Sequence, residues 1–198
     1  PIGTVVNLYI NGVYKGWYNP TERIDSKFLQ SRQGGSQDYD RLLHVEDKSL
    51  QRYEGTPWSP ELKEGDLVAY HALMAAVELD LSNQTNYDAV ADMLDIAQFI
   101  DYILVQLYVG NDDWPNNNWA AARERVAGEK FRFYVWDAES TFLTANINKT
   151  GLRYFPFWMW PDGNAPDAVV GGSGLFGEET PIAAIFRGLY QNAGFKTQ

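Results

Sequence analysis

The chain has 198 residues, with 16 Lys and Arg against 26 Asp and Glu and a formal charge of −10. It therefore lacks the cationic surplus that neutralising a phosphate backbone demands, and nucleic-acid binding is excluded as the default reading. Zero cysteines rule out disulfides, thiolate nucleophiles and Cys-ligated metals, and two histidines, His44 and His71, leave little for His-based sites, so any chemistry rests on carboxylates, amides, hydroxyls, Lys and Arg.

Hydrophobic residues make up 45% of the chain, enough for a real core. The longest apolar stretch, residues 103–110, is interrupted by Gln106 and falls far short of the ~20 residues of a membrane span. Pro1-Ile2-Gly3 carries no Met, basic n-region or signal h-region, so the chain reads as a piece of a longer protein.

Asn11-Gly12 between the β-branched and aromatic runs 4–10 and 13–18 predicts a two-residue hairpin, with Pro20 ending its second strand. Residues 30–40 are polar and read as a loop through Gly34-Gly35-Ser36. The span 42–58 has weak periodicity and stays unassigned apart from a short strand near 42–45. After Pro57 and Pro60, Leu67, Tyr70, Leu73, Met74, Val77 and Leu81 recur at helical spacing and predict a helix over 65–81. A short helical stretch starts at Asn86 or Asp88 and runs to Leu94. Asp95 stands three residues before Gln98, a capping-box spacing, ahead of an apolar face of Ile96, Phe99, Ile100, Ile103, Leu104 and Leu107 that stops at Gly110. Residues 111–118, crowded with Asn, Asp and Pro115, form a loop. Residues 119–125 return to helix or strand, and 131–137 alternate as a strand ending in Asp137. Residues 144–180 are irregular, and a last helix runs over 181–191 with Ile182, Ile185, Phe186 and Leu189 inward. With no repeat and no clean linker, the chain reads as one unit.

The order helix, acidic loop, strand, acid carries the functional signal. Asp113 and Asn118 form D-x-x-x-x-N, and Asp137 closes the following strand. In phosphoryl transfer a first Asp accepts the substrate hydroxyl proton, an Asn oxygen binds Mg²⁺, and a later Asp bridges Mg²⁺ to the phosphates. On spacing alone an Asx-turn loop capping helix and strand ends explains the same residues. The stretches N-G-V-Y-K-G-W-Y-N-P-T-E-R-I-D (11–25), G-N-D-D-W-P-N-N-N-W (110–119) and R-F-Y-V-W-D (132–137) resemble, in order, three signature blocks of the CotH family of atypical, protein-kinase-like spore coat proteins.

That resemblance implies an α+β, partial protein-kinase-like fold: a nucleotide-side hairpin and crossing over 1–25, then a mainly helical lobe over 60–198 that holds the catalytic loop. It implies ATP- and Mg²⁺-dependent phosphorylation of Ser or Thr on a coat or surface protein, in an extracellular, cell-surface or spore-coat setting. By motif, Asp113 is the catalytic Asp and Asn118 and Asp137 are metal ligands; Glu139, where many relatives carry a second Asp, is a further candidate ligand. In the first block Tyr18, Glu22 and Asp25 are the candidate nucleotide contacts, although an Arg-Glu pair such as Glu22 and Arg23 is as often a structural salt bridge. The upstream strands that would hold a phosphate-binding Lys and its Glu are expected to lie outside this chain, and Lys15 does not take that role.

Gly171-Gly172-Ser173-Gly174 lacks the Lys-Ser or Lys-Thr of a phosphate cradle and reads as a loop. The aromatic run 154–161 is core or a sugar platform. Asn83-Gln84-Thr85 and Asn148-Lys149-Thr150 fit a glycosylation sequon that matters only in a secreted eukaryotic chain. His71 reads as packed or capping, and His44 has no partner at ligand spacing. Three function classes remain: a protein kinase, a coat or adhesin protein on the same fold without turnover, and a carbohydrate-active protein pairing Asp113 with Asp137. Asn118 separates the first from the last, because a glycosidase pair gives it no required task.

Overall fold

In the computed structural model, which describes residues 3–43, 52–53, 56–57, 60–111, 114–115, 118–139, 141–142 and 180–198, Asn11 and Gly12 take φ of 50° and 79°. These positive angles join β1 (Val6–Ile10) to β2 (Val13–Tyr18) as a hairpin that forms its own two-stranded sheet. His44, Asp113, Asn148 and the segments 154–161 and 171–174 lie outside the described residues.

The hairpin leads through a crossing to α1 (Ser26–Gln33), whose N-cap Asp25 accepts a 2.9 Å bond from the Phe28 amide. A helix therefore begins ahead of the predicted loop and runs into it. Its sequence is polar except for Phe28 and the buried Leu29, so it carries almost no amphipathic signal.

A four-stranded antiparallel sheet follows in the order β6-β3-β7-β8, from β3 (Tyr39–Leu43), β6 (Glu61–Glu64), β7 (Trp119–Glu124) and β8 (Arg132–Val135). The two-residue strands β4 (Arg52–Tyr53) and β5 (Thr56–Pro57) pair with each other. Thus β3 is longer and starts earlier than its sequence predicts, because it buries Asp40 and Arg41. Arg123 donates 2.9 Å and 3.3 Å bonds to Asp40, and the Asp66 amide donates another at 3.0 Å. Arg41 donates to Glu64 and to the carbonyl of Ile24, which ties the crossing to the sheet.

Helices α2 (Val68–Val77) and α5 (Pro181–Leu189) are shorter than predicted, α3 (Gln84–Ala91) starts and ends earlier than predicted, and α4 (Ile96–Val109) runs from its Asp95 cap to Gly110 as expected. They pack on one face of the sheet in a core that includes Tyr70, Leu73, Phe99, Ala121, Phe133 and Ile185. The other face carries a smaller core in which Ile24, Leu29, Tyr39 and Ala122 meet Phe28, Tyr134 and Trp136. The alternation of Ala121 with Ala122, and of Phe133 with Tyr134, is the period-two signature of a sheet buried on both sides. The architecture is α+β, with more sheet between 60 and 135 than a mainly helical lobe implies.

The buried face of α4 is rotated from the predicted one: Phe99, Tyr102, Ile103 and Gln106 are inside, and Leu104 is 58% exposed. The capping box is also only half made. Asp95 accepts from the Gln98 amide at 3.2 Å, but the Gln98 side chain turns to β8. It donates to the carbonyl of Phe133 at 2.6 Å and accepts from the Phe133 amide at 2.9 Å. Phe133 is on the edge strand, so this amide occupies the place of a missing ladder partner.

Gln98→Ala should therefore cost about 1–3 kcal/mol, the range for stranding partly buried backbone groups, measured by urea unfolding. A second expectation concerns Asp95, which also accepts a 2.9 Å bond from Arg132. Burial raises its pKa, but the Arg132 and Gln98 bonds and the Arg132 and Lys130 charges prevail, leaving it below the ordinary 3.8. Its contribution is complete above the ordinary value and is lost as pH falls through the depressed one. Asp95→Asn keeps a capping oxygen and should be less stable than wild type by under about 1 kcal/mol at pH 7, with the gap closing as pH falls below the ordinary 3.8 and through the depressed value in urea melts.

Candidate functional site

Strands β7 and β8 pair with Trp119 opposite Val135, so the residue before β7 and those just after β8 emerge at the same end of the sheet. That register brings Asn118 to Asp137. Asn118 is 4% exposed, and its Nδ2 donates a 2.9 Å bond to the Asp137 carbonyl. Both take left-handed backbone angles, φ of 59° and 51°, which Asn and Asp tolerate better than most side chains. With its nitrogen committed to that carbonyl, the Asn118 amide has its oxygen end turned away from it.

The Asp137 and Glu139 side chains are exposed at this corner. The Glu139 carboxyl is held above its ordinary value, first by a hydrogen bond with Asp137; its own backbone amide pulls the other way, and slight burial and the Asp137 charge add to the rise. The Asp137 and Glu139 carboxyls are therefore neighbours at this corner.

The end of α4 is fastened to the same corner. Gly110 caps the helix in the left-handed conformation, φ 58° and ψ 47°, where a side chain would be strained, and sends the chain into the 111–118 loop. Asn111 and Trp114, both buried, are held by α4 side chains: Asn111 Nδ2 donates to Gln106 Oε1 at 3.0 Å, and Trp114 Nε1 donates to the Tyr102 hydroxyl at 2.7 Å. Beyond Asp137 the chain comes back to the helix, where the Phe142 amide donates to the Val109 carbonyl at 2.9 Å.

The candidate residues thus separate into two groups. Asn118, Asp137 and Glu139 lie together, and Asp113 is outside the described residues. In the first block, Glu22 accepts two 2.7 Å bonds from Arg32, Asp25 caps α1, and Tyr18 is 52% exposed at the end of β2 opposite Val6. These contacts give Glu22 and Asp25 structural partners on the α1 side of the sheet. That side is coupled to the corner through Trp136, which packs in the small core with Ile24 and directly precedes Asp137.

Sequence reasoning gave Gln98 to a capping box and Gln106 to an interruption of the apolar stretch, and did not find the contacts that these two and Tyr102 make. Their signal was a pair of amides and a phenol on an otherwise apolar face. His71 is half-buried on α2 with its ring 6.1 Å from that of Tyr70, and joins no described cluster of metal-ligating groups.

Among the described residues no three His, Cys, Asp or Glu side chains are grouped to hold a metal ion. The described donors at the corner are an amide oxygen and two carboxylates, hard-oxygen chemistry of the kind that Mg²⁺ takes.

A family model described as CotH kinase protein matches residues 3–170. A search of curated proteins finds no match to this chain.

The contact between the two carboxyls has a direct readout. In Asp137→Gly, which suits the left-handed backbone and removes the partner, the Glu139 titration should fall back towards its ordinary 4.5, followed by carbon-detected NMR across pH 3–8.

Proposed function

Because the chain belongs to the CotH kinase family, we propose that it is a phosphotransferase domain that uses ATP with Mg²⁺ to phosphorylate Ser or Thr on a coat or surface protein. The observation that carries this reading is the junction of Asn118 and Asp137, two motif residues from separate elements joined by a 2.9 Å hydrogen bond beside Glu139. In this reading Asn118 Oδ1 and the Asp137 carboxylate hold the metal, with Glu139 as a third oxygen donor. Bound there, Mg²⁺ would neutralise charge on the phosphates.

Asp113 accepts the proton of the substrate hydroxyl as its oxygen bonds to the γ-phosphorus and the β–γ bridging bond breaks, leaving ADP. Tyr18, Glu22 and Asp25 are the proposed nucleotide-side residues, with Glu22 and Asp25 acting from within their contacts to Arg32 and α1. The setting we infer is extracellular, at a cell surface or spore coat. Among the described residues no helix is long and apolar enough to cross a membrane.

A second reading, a coat or adhesin protein without turnover, is favoured by the hairpin. It presents Tyr9, Tyr14 and Trp17 at 60%, 48% and 77% exposure, an apolar surface suited to contact with another protein.

Labelled phosphate transfer from ATP in the full-length protein decides between them. Asp113→Ala should lower kcat by about 10²–10⁴-fold, the usual contribution of a general base. Asp137→Asn, which tolerates the left-handed backbone, should raise the Mg²⁺ concentration needed for half-maximal rate with an unchanged melting temperature. Wild-type protein without transfer, or variants that retain it, would sink the enzyme reading in favour of the second.

A further inference from the structure

Tyr102 and Gln106 lie one turn apart on the buried face of α4, 3% and 1% exposed, among side chains that are otherwise apolar. Gln106 Nε2 donates to the Tyr102 hydroxyl at 3.3 Å, Trp114 Nε1 donates to the same oxygen at 2.7 Å, and Asn111 Nδ2 donates to Gln106 Oε1 at 3.0 Å. With the hydrogens arranged this way, the phenol accepts twice, and Asn111 Oδ1 is buried without a donor.

Turning both amides end for end exchanges their nitrogen and oxygen positions; it gives the phenol one donor and one acceptor role and moves the unmatched group from the Asn111 oxygen to its nitrogen. Trp114 then donates to Tyr102, Tyr102 donates to the Gln106 carbonyl oxygen, and the Gln106 nitrogen donates to the Asn111 oxygen. The group left over becomes an Asn111 N–H donor at the head of the loop. In either arrangement the bonds tie both loop residues to α4.

We propose that Tyr102 and Gln106 are positioning residues of the phosphotransfer site, holding Asn111 and Trp114, which flank Asp112 and Asp113 in sequence, through this buried hydrogen-bond relay. The inference rests on the phosphotransfer reading above. Its physical basis is that a leucine and a phenylalanine would fill the same helix face without burying polar atoms. The relay specifies where the loop begins and where Trp114 seats, which packing alone does not.

The test uses the full-length protein with Tyr102→Phe, Gln106→Leu and, as a core control on the same helix without a polar contact, Ile103→Val. Rates are measured well below each variant's melting temperature. Tyr102→Phe and Gln106→Leu should lower kcat at least about tenfold while KM for ATP stays within about twofold, the result of misplacing a catalytic group without removing it. Ile103→Val should keep the wild-type kcat. Tyr102→Phe removes a single oxygen and decides the matter if Gln106→Leu does not fold. Folded Tyr102→Phe with wild-type kcat overturns this inference alone, as does an equal loss of kcat in Ile103→Val. Wild-type protein with no ATP-dependent transfer overturns the phosphotransfer reading and this inference with it.

Discussion

One side-chain amide determines how the helical layer meets the sheet. The segment before α4 runs parallel to the start of β8, with the Phe131 amide donating to the Met93 carbonyl and the Asp95 amide donating to the Phe131 carbonyl. At Asp95 the chain turns into helix and its backbone is no longer available for the ladder. Gln98 then supplies the next rung from its side chain, satisfying both the amide and the carbonyl of Phe133. A primary amide has the same donor and acceptor pair as a peptide, so the edge strand meets what amounts to a continued neighbour. Since α4 ends at Gly110 and β8 leads to Asp137, this seam fixes the separation between the two arms of the candidate site. The smaller bonds at the corner act within a frame already set.

Within that frame, backbone strain is concentrated where the two arms meet. Asn118, Asp137 and Phe142 all have positive φ. For Asn and Asp the left-handed region is accessible at modest cost, but for a Phe it is an outlier of order 1–2 kcal/mol. Phe142 is held there by its amide bond to the Val109 carbonyl and by an edge-to-face contact with Tyr108 at 6.1 Å. The amide bond satisfies one of the carbonyls that the C-terminus of α4 leaves without an intrahelical partner. The strained residue is thus part of the closure that returns the chain from the strand end to the helix end.

What could be read in the sequence depended on whether the signal was local. Asn11-Gly12, the Asp95 cap and the Gly110 stop are short-range chemistry, and the structure has each where its spacing predicts. α1 escaped because its only apolar residues are Phe28 and Leu29, and residues 30–33 look like loop until tertiary contacts are known. β3 was read short for the opposite reason. Asp40 and Arg41 look solvent-exposed in sequence, and their burial depends on Arg123, Asp66 and Glu64, which lie far along the chain. Asn118 and Asp137 stand out by motif and order, and the β7–β8 register joins them by a hydrogen bond. Gln106 was visible only as an interruption in an apolar stretch, because nothing in a one-dimensional pattern says that Asn111 and Tyr102 would take up its two ends.

The division of labour within Asp137 bears on what the corner is for. The fold uses its backbone carbonyl, which receives the Asn118 bond, and its φ of 51°, which any small or Asx residue could supply. Glycine would meet the same backbone requirement with less strain. The carboxylate is not needed by either contact, and it hydrogen-bonds with the neighbouring Glu139 carboxyl, which is held above its ordinary value. On the phosphotransfer reading proposed above, this pair of acids and the Asn118 oxygen are where a cation would sit.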